Sequence, residues 1–347
     1  MRKLPLLLLS LAIISCVHRE NVYFSSGESE SFDSLSAISQ LITAIPLETN
    51  SQCILTEIKQ VKTTKSDIFV RSGNDIYHFN YNGSFINKIS IGDNTYLNKY
   101  AVDSDNQHII MLDSLSMIHF FAYDGTPLYT KNTEATLSDH TVLDLAYHDH
   151  FLWVVTKKIA ENNAIERWMY KLDLTYKPLE GTRLATVNLG RFYLDGISTS
   201  ELYVADNKMY VYSPFFHKET ILKDTLHLIA SGQLAQNQLF PYMDNNDFPA
   251  YSLPLILSTR YLLTSYQINE SEIANYFFCY DTKNNKSFSM NGFIDDFYHT
   301  GIIKELLPLN PYNGDYYFCK SGNDLSKSFP KRDANSNPVL FVVHLNG

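Results

Sequence analysis

The chain has 347 residues, 45% of them hydrophobic, with a formal net charge of −9 and a pI near 5.6. That is enough apolar material for a large core, and it excludes a disordered chain. The acidic balance excludes nucleic acid as the main partner, because phosphate recognition needs a basic surface.

From the N-terminus, Arg2 and Lys3 precede an apolar run from Leu4 to Ile14 that is too short to span a bilayer and has the length of a signal peptide. It ends in Ile13-Ile-Ser-Cys16, which resembles a bacterial lipobox. That resemblance implies cleavage before Cys16 and lipid attachment to Cys16. It predicts an exported lipoprotein on the periplasmic or cell-surface face of an outer membrane. Residues 1–15 are then the signal peptide. Residues 16–42 form a flexible tether, since Ser25-Ser-Gly-Glu-Ser-Glu-Ser31 buries too little to order itself. Within the tether, Leu35, Ile38, Leu41 and Ile42 recur at helical spacing and predict a short helix over Asp33 to Thr43.

The folded part, 43–347, opens with a repeat. Ile76-Tyr-His-Phe-Asn-Tyr-Asn-Gly83 returns as Ile118-His-Phe-Phe-Ala-Tyr-Asp-Gly125, each copy after a short apolar run. Short alternating strands with Asn-Gly or Asp-Gly turns at this spacing predict an all-β, six-bladed β-propeller of four-stranded antiparallel blades. The two turns read as type I′ hairpins. The 24 Tyr and 21 Phe fit strand composition.

Blade one is expected to start at Ile54–Ile58 and blade two at Tyr100–Val102. Blade three starts at Val142–Leu145. Blade four uses Leu202–Val204, Met209–Tyr212, Thr220–Leu222 and Leu226–Ile229, and blade five begins at Leu255–Leu257. Blade six uses Ile302-Ile303, Tyr316–Phe318 and Val339–Leu345, and then the chain ends. An unpaired edge is an aggregation template, so Ile45–Glu48 is expected to join Val339–Leu345 and close the ring. Three cysteines remain after Cys16. Cys279 and Cys319 fall on neighbouring blades, where they either pair or stay as buried thiols.

Three stretches now resemble a known family: Ile45-Pro-Leu-Glu-Thr49, the Tyr81-to-Ile86 hairpin, and Asn337-Pro-Val-Leu340. They are similar to the lipid-anchored six-bladed β-propeller proteins of Bacteroidetes, NHL-like or TolB-like in shape. The likeness implies six blades, export and anchoring, and carries no catalytic set. Phe293-Ile-Asp-Asp296 resembles an acidic motif of such proteins but lacks the glycines expected after it.

Ligands of propellers gather at one mouth of the channel. Loops on that face fall near 91–98, 132–141, 185–199, 231–252 and 290–300, and near 71–75, 113–116, 157–166, 213–219, 267–274 and 320–337. In the loop Ser231–Tyr251, Tyr242, Phe248 and Tyr251 are expected to form a ligand-facing aromatic lip. Asp244-Asn-Asn-Asp247 alternates carboxylate and amide oxygens, a set suited to calcium or to a solvated Asx turn. Asp295 and Asp296 are placed entering the inner strand of blade six, with His299 beside them, either as ligand-facing carboxylates or as turn and capping residues. His148-Asp-His150 has the look of half a metal site on the opposite face. No motif for a cofactor or an assembled catalytic set is present. The composition and motifs favour a non-enzymatic module binding a protein, peptide or glycan. The alternative is a hydrolase or lyase of a polysaccharide or peptide using carboxylates at the mouth.

Overall fold

Alternating burial and tight turns fold the repeats into four-stranded meanders. The computed structural model describes residues 33–346 apart from 93–94, 134–136, 162–163, 174, 176, 189–200, 206–207, 213–214, 218–219, 224, 231–232, 240–249, 253–255, 258–259, 270–272, 282, 285, 311–313, 326–327 and 333–334. From the innermost strand outward, blade one is Gln60–Thr63, Asp67–Ser72, Asp75–Asn80 and Phe85–Ser90. Blade two is Leu97–Asp103, His108–Asp113, Met117–Ala122 and Pro127–Asn132. Blade three is His140–His148, Phe151–Ile159, Ala164–Leu172 and Pro178–Asn188. Blade four is Glu201–Ala205, Lys208–Tyr212, Thr225–Ala230 and Gln233–Leu239. Blade five pairs Ala250–Ser252 and Ile256–Leu257 with Tyr261–Asn269, then Ile273–Asp281 and Lys286–Met290. Blade six is Leu307–Asn310, Asp315–Lys320 and Val339–Leu345, and its fourth strand is Ser39–Pro46 from the other end of the chain.

The closing strand is therefore supplied by the N-terminus, as the spare edge required. Ile42 lies opposite Val343 and Ile45 opposite Leu340. The strand starts earlier than expected and replaces the expected helix. Within Asp33–Thr43 only Leu35–Ala37 is helical, as a single 3-10 turn. The helix-like spacing arises because this strand is buried on two faces. Ile42 packs with blade five's neighbours, and Ile45 packs with blade one.

Four other assignments change. The innermost strand of blade one is Gln60–Thr63 and not Ile54–Ile58, which lies in the connection before it. Thr220–Leu222 belongs to a separate hairpin, Phe215–His217 with Thr220–Lys223, inserted in blade four. Gln233–Leu239, inside the expected Ser231–Tyr251 loop, is that blade's outer strand. Ile302-Ile303 lies outside blade six, in a small sheet of Asp33–Ser34, Phe293–Asp295 and Gly301–Ile303.

The Asn-Gly and Asp-Gly turns are not type I′. Only Gly83 (φ +85°) and Gly125 (φ +89°) are left-handed, and Gly83 and Gly125 bond back to the carbonyls of Asn80 and Ala122. The register of each hairpin shifts beside the turn, so these are type I turns completed by a glycine bulge. Both glycines have a second reason. A side chain at Gly83 would overlap the Pro46 carbonyl on the outer strand of blade six, and one at Gly125 would press on Asn87 of blade one. Each turn thus docks on the outer strand of the preceding blade.

The core is divided into slabs between neighbouring blades. Phe69, Ile76, Tyr100 and Met111 fill the gap between blades one and two, and Tyr317, Leu340, Ile68 and Phe79 fill that between six and one. Burying each such side chain contributes about 1.5–3 kcal/mol. Tyr100 donates across the first gap to the Phe69 carbonyl at 2.8 Å, and the Val61 amide donates across the second to the Tyr317 hydroxyl at 3.2 Å. Cys279 and Cys319 do not form a disulfide, and Cys53 is a thiol as well. Cys279 packs in the slab between blades five and six, Cys319 against that between six and one. Burial pushes the Cys53 thiol up to about 11 and Cys319 to about 12.

Candidate functional site

A four-stranded meander sends its connections alternately to two ends of the ring. One end carries the turns from first to second and from third to fourth strand. Here most of the described turns are closed by a side chain of their own. Asn80 accepts from the amides of Asn82 and Ser84, both at 3.0 Å. Asp103 accepts from the amides of Asp105 and Asn106 and from the Asn106 side chain. Asp281 does the same with Lys283 and Asn284, and also takes both arms of Arg260 at 3.1 and 2.7 Å. His148-Asp-His150 sits on this end, as its spacing implied. Asp149 (φ +50°) and His150 (φ +64°) form the two-residue type I′ hairpin between the first strands of blade three. His150 lies 3.5 Å from Asp105. Among the described residues no three His, Cys, Asp or Glu converge as a metal set.

The other end carries the loops between blades and those between second and third strands. Here the bonds run from loop to loop. The Thr56 amide donates to the Ser72 hydroxyl (3.1 Å), and the Asn74 side chain to the Thr95 carbonyl (3.1 Å). The Ser114 amide donates to the Tyr96 carbonyl (2.8 Å), and the Thr133 amide and hydroxyl both donate to the Ser116 carbonyl (3.0 and 2.8 Å). Arg71 adds a bond to the Leu97 carbonyl, tying blade one to blade two. The result is a continuous fixed rim over blades one and two.

That rim displays apolar side chains. Among the described residues the four most exposed large hydrophobics are Tyr96 (71%), Leu115 (65%), Ile159 (62%) and Ile54 (59%), and all four lie at this end. The next in order, Leu41, Ile86, Leu179 and Leu128, sit on outer strands around the circumference. Tyr96 and Leu115 flank the Ser114 bond and are neighbours. The loops holding Tyr96, Leu115 and Ile159 were anticipated, but these residues were not. The available signal was an apolar residue set among turn formers, as in Asp113-Ser-Leu-Ser116.

Asp295 and Asp296 do not enter the inner strand of blade six. Asp295 is buried and spends both oxygens on its own loop, accepting from the amides of Phe297, Tyr298 and Thr300 and from the Thr300 hydroxyl at 2.5 Å. Asp296 holds the N-terminal segment, accepting from the Ser36 amide at 3.1 Å and from its hydroxyl. Burial opposes ionisation of Asp296, but the two Ser36 bonds and nearby His299 outweigh it and hold the carboxyl below its ordinary range. His299 is exposed in a left-handed conformation (φ +56°). Tyr242 and Asp247 lie outside the described residues. Tyr251 is in a strand of blade five, and its side chain is outside them.

The family-bearing stretches meet at the seam between blade six and blade one. Asn337, 2% exposed, donates to the carbonyls of Glu48 (2.5 Å) and Cys53 (2.8 Å), accepts from the Leu55 amide (2.8 Å), and its own amide donates to the Thr49 hydroxyl (2.7 Å). Arg332 bridges the carbonyls of Leu47 and Asn337 at 2.7 and 2.8 Å. Glu48 reaches the hairpin of blade one, accepting from the Phe85 amide at 2.9 Å while its own amide donates to Gly83. The likeness between these stretches and known propellers is thus a likeness of the clasp.

Comparison with known proteins agrees with this architecture. The family model DUF5128, described as a 6-bladed beta-propeller, matches residues 15–296. A Bacteroides fragilis protein thought to be exported superposes with a TM-score of 0.66 at 13% identity, over 92% of this chain and 99% of that one. A Bacteroides caccae protein of unknown function gives a TM-score of 0.42 at 12% identity, over 75% and 84%. No curated protein matches the sequence.

Proposed function

The chain belongs to the DUF5128 family of six-bladed β-propellers, and from that premise we propose that it is a lipid-anchored binding module of the cell envelope that docks a protein partner on its loop face. One observation carries the reading: among the described residues the four most exposed apolar side chains share one end of the ring, and three of them, Tyr96, Leu115 and Ile54, lie on loops fixed to their neighbours by hydrogen bonds. Scattered apolar residues are ordinary on a surface, whereas a set gathered on a rigid rim marks an interaction site. A preorganised rim also lowers the entropy lost on docking. Support for the anchor comes from the Arg2-Lys3 start, the apolar run and Cys16.

The test places a photo-crosslinking residue at Tyr96 or Leu115 and, in parallel cells, at Asn82 or Asp124 on the turn face. Adducts to a discrete protein are expected from the first pair only. Equal adducts from both ends, or none from the loop face, would defeat the reading. Cys16→Ser is expected to move the protein from the membrane fraction to the soluble one.

A further inference from the structure

The slab between blades two and three changes character along its length. Toward the turn face it is apolar, with Leu145, Leu152, Val154 and Leu172 against Ile118 and Phe120. Tyr170 is only partly buried at its margin. Beyond it the blade-three wall turns aromatic and polar. Trp168 and Tyr170, two apart on one strand, share that face, with ring centroids 6.1 Å apart and planes at 17°. His140 stands edge-on to both, at 6.2 and 5.3 Å.

This group is held in place from several sides. His140 bonds the Thr156 hydroxyl at 2.8 Å and the Tyr170 hydroxyl at 3.3 Å. The Trp168 indole donates to Glu166 at 2.8 Å, and Arg183 donates to the other Glu166 oxygen at 3.1 Å while its guanidinium lies 5.8 Å from the indole ring. Gly181, opposite Tyr170 on the outer strand, leaves space that a Cβ would take from the Tyr170 ring. The blade-two wall answers with Tyr129, 39% exposed, stacked on Phe120 at 4.3 Å, and with Lys131 at 5.8 Å from the Tyr129 ring.

From this wedge we infer that the cleft between blades two and three binds a glycan, with Trp168 and Tyr170 packing on the apolar face of a sugar ring and Glu166 and Arg183 bonding its hydroxyls. The chemistry selects this occupant. A sugar ring is apolar on its C–H face and hydroxylated at its rim, which matches rings fixed beside paired charged groups. The Glu166–Arg183 pair offers donors and acceptors together with no net charge, which suits hydroxyls better than a phosphate or carboxylate. Burial, then Lys158, pushes His140 below its ordinary value, so the group is uncharged at neutral pH. The cleft starts one residue in from the exposed Ile159 of the loop face, since His140 and Glu166 both lie opposite Lys158.

The chain has only two tryptophans, and the other, Trp153, is buried against blade four. A change in emission on adding a sugar therefore reports on Trp168, above a constant background from Trp153. Titration with hexasaccharides of β-linked glucose, xylose, mannose and N-acetylglucosamine, followed by fluorescence and calorimetry, is expected to give saturable binding for at least one sugar with a shift in emission. Trp168→Ala and Arg183→Ala are each expected to weaken that binding on the order of ten-fold or more. Tyr170→Phe, which keeps the ring, should bind nearly as the parent does. The absence of heat or emission change with all four sugars would overturn the inference. So would binding that persists unchanged in folded Trp168→Ala and Arg183→Ala.

Discussion

The two ends of the ring use the same residue types for different purposes. On the turn face, Asn80, Asp103, Asp124 and Asp281 close the loops that contain them. On the loop face, Ser72, Asn74, Ser114, Thr133 and Asn337 bond to other loops, and Tyr96, Leu115 and Ile159 are left facing outward. An end whose polar groups are satisfied locally can vary turn by turn. An end whose loops are tied to one another is a single surface, and that is what a docking site requires.

The comparison can be broken or sharpened by mutation. The largest effect is expected at the seam, where Asn337→Ala strands several buried backbone groups belonging to two segments. It should cost about 3 kcal/mol in denaturant unfolding. A loss no greater than that of an isolated turn residue would mean the seam is not a shared surface. Next comes Gly83→Ala, which adds overlap with Pro46 to a left-handed backbone and should cost about 2 kcal/mol or more. Its control is Gly73→Ala on the loop face. There φ is +62° and nothing lies within 4 Å, so the cost should be about 1 kcal/mol. Equal losses would show that blade-to-blade docking of the hairpin adds nothing.

Asp281 tests the turn face by pH. Arg260 and the turn amides draw its carboxyl from the ordinary 3.8 down to about 2. The folded value lies below the unfolded one, so its contribution is complete above about pH 4 and is lost as pH falls toward 2. Asp281→Asn should cost about 1–2 kcal/mol at neutral pH and close to nothing at pH 2. The smallest effect on stability is expected for the double variant Tyr96→Ser, Leu115→Ser, within about 0.5 kcal/mol, because neither side chain is buried. A large destabilisation would show that these residues hold the rim together and are not displayed by it.

Much of this was legible from residue pattern, and the misreadings have identifiable causes. Blades one to three announce themselves because their middle strands, such as Ile68–Val70 and Ile109–Leu112, are buried on both faces and read as apolar runs. The first strand of blade one hides because Gln60–Thr63 buries only Val61. Ile302 looked like a blade strand because its apolar neighbours pair locally with Phe293–Asp295. Asp295 and Asp296 looked like site carboxylates because sequence does not show where a carboxylate's partners are. Both find them in backbone and in Ser36. The seam was foreseen from arithmetic alone, since a ring with one strand missing and one strand spare has a single solution.

That seam also sets an order of events in synthesis. Ser39–Pro46 leaves the ribosome about 290 residues ahead of its partner strand, Val339–Leu345. Until then the opening segment has no partner strand, and Leu47, Cys53 and Leu55 lack half of their slab. Contacts of such long sequence separation form late and slowly. A chain interrupted before Val339 would therefore leave Ser39–Pro46 without its partner strand, so the ring cannot close until the last blade has been made.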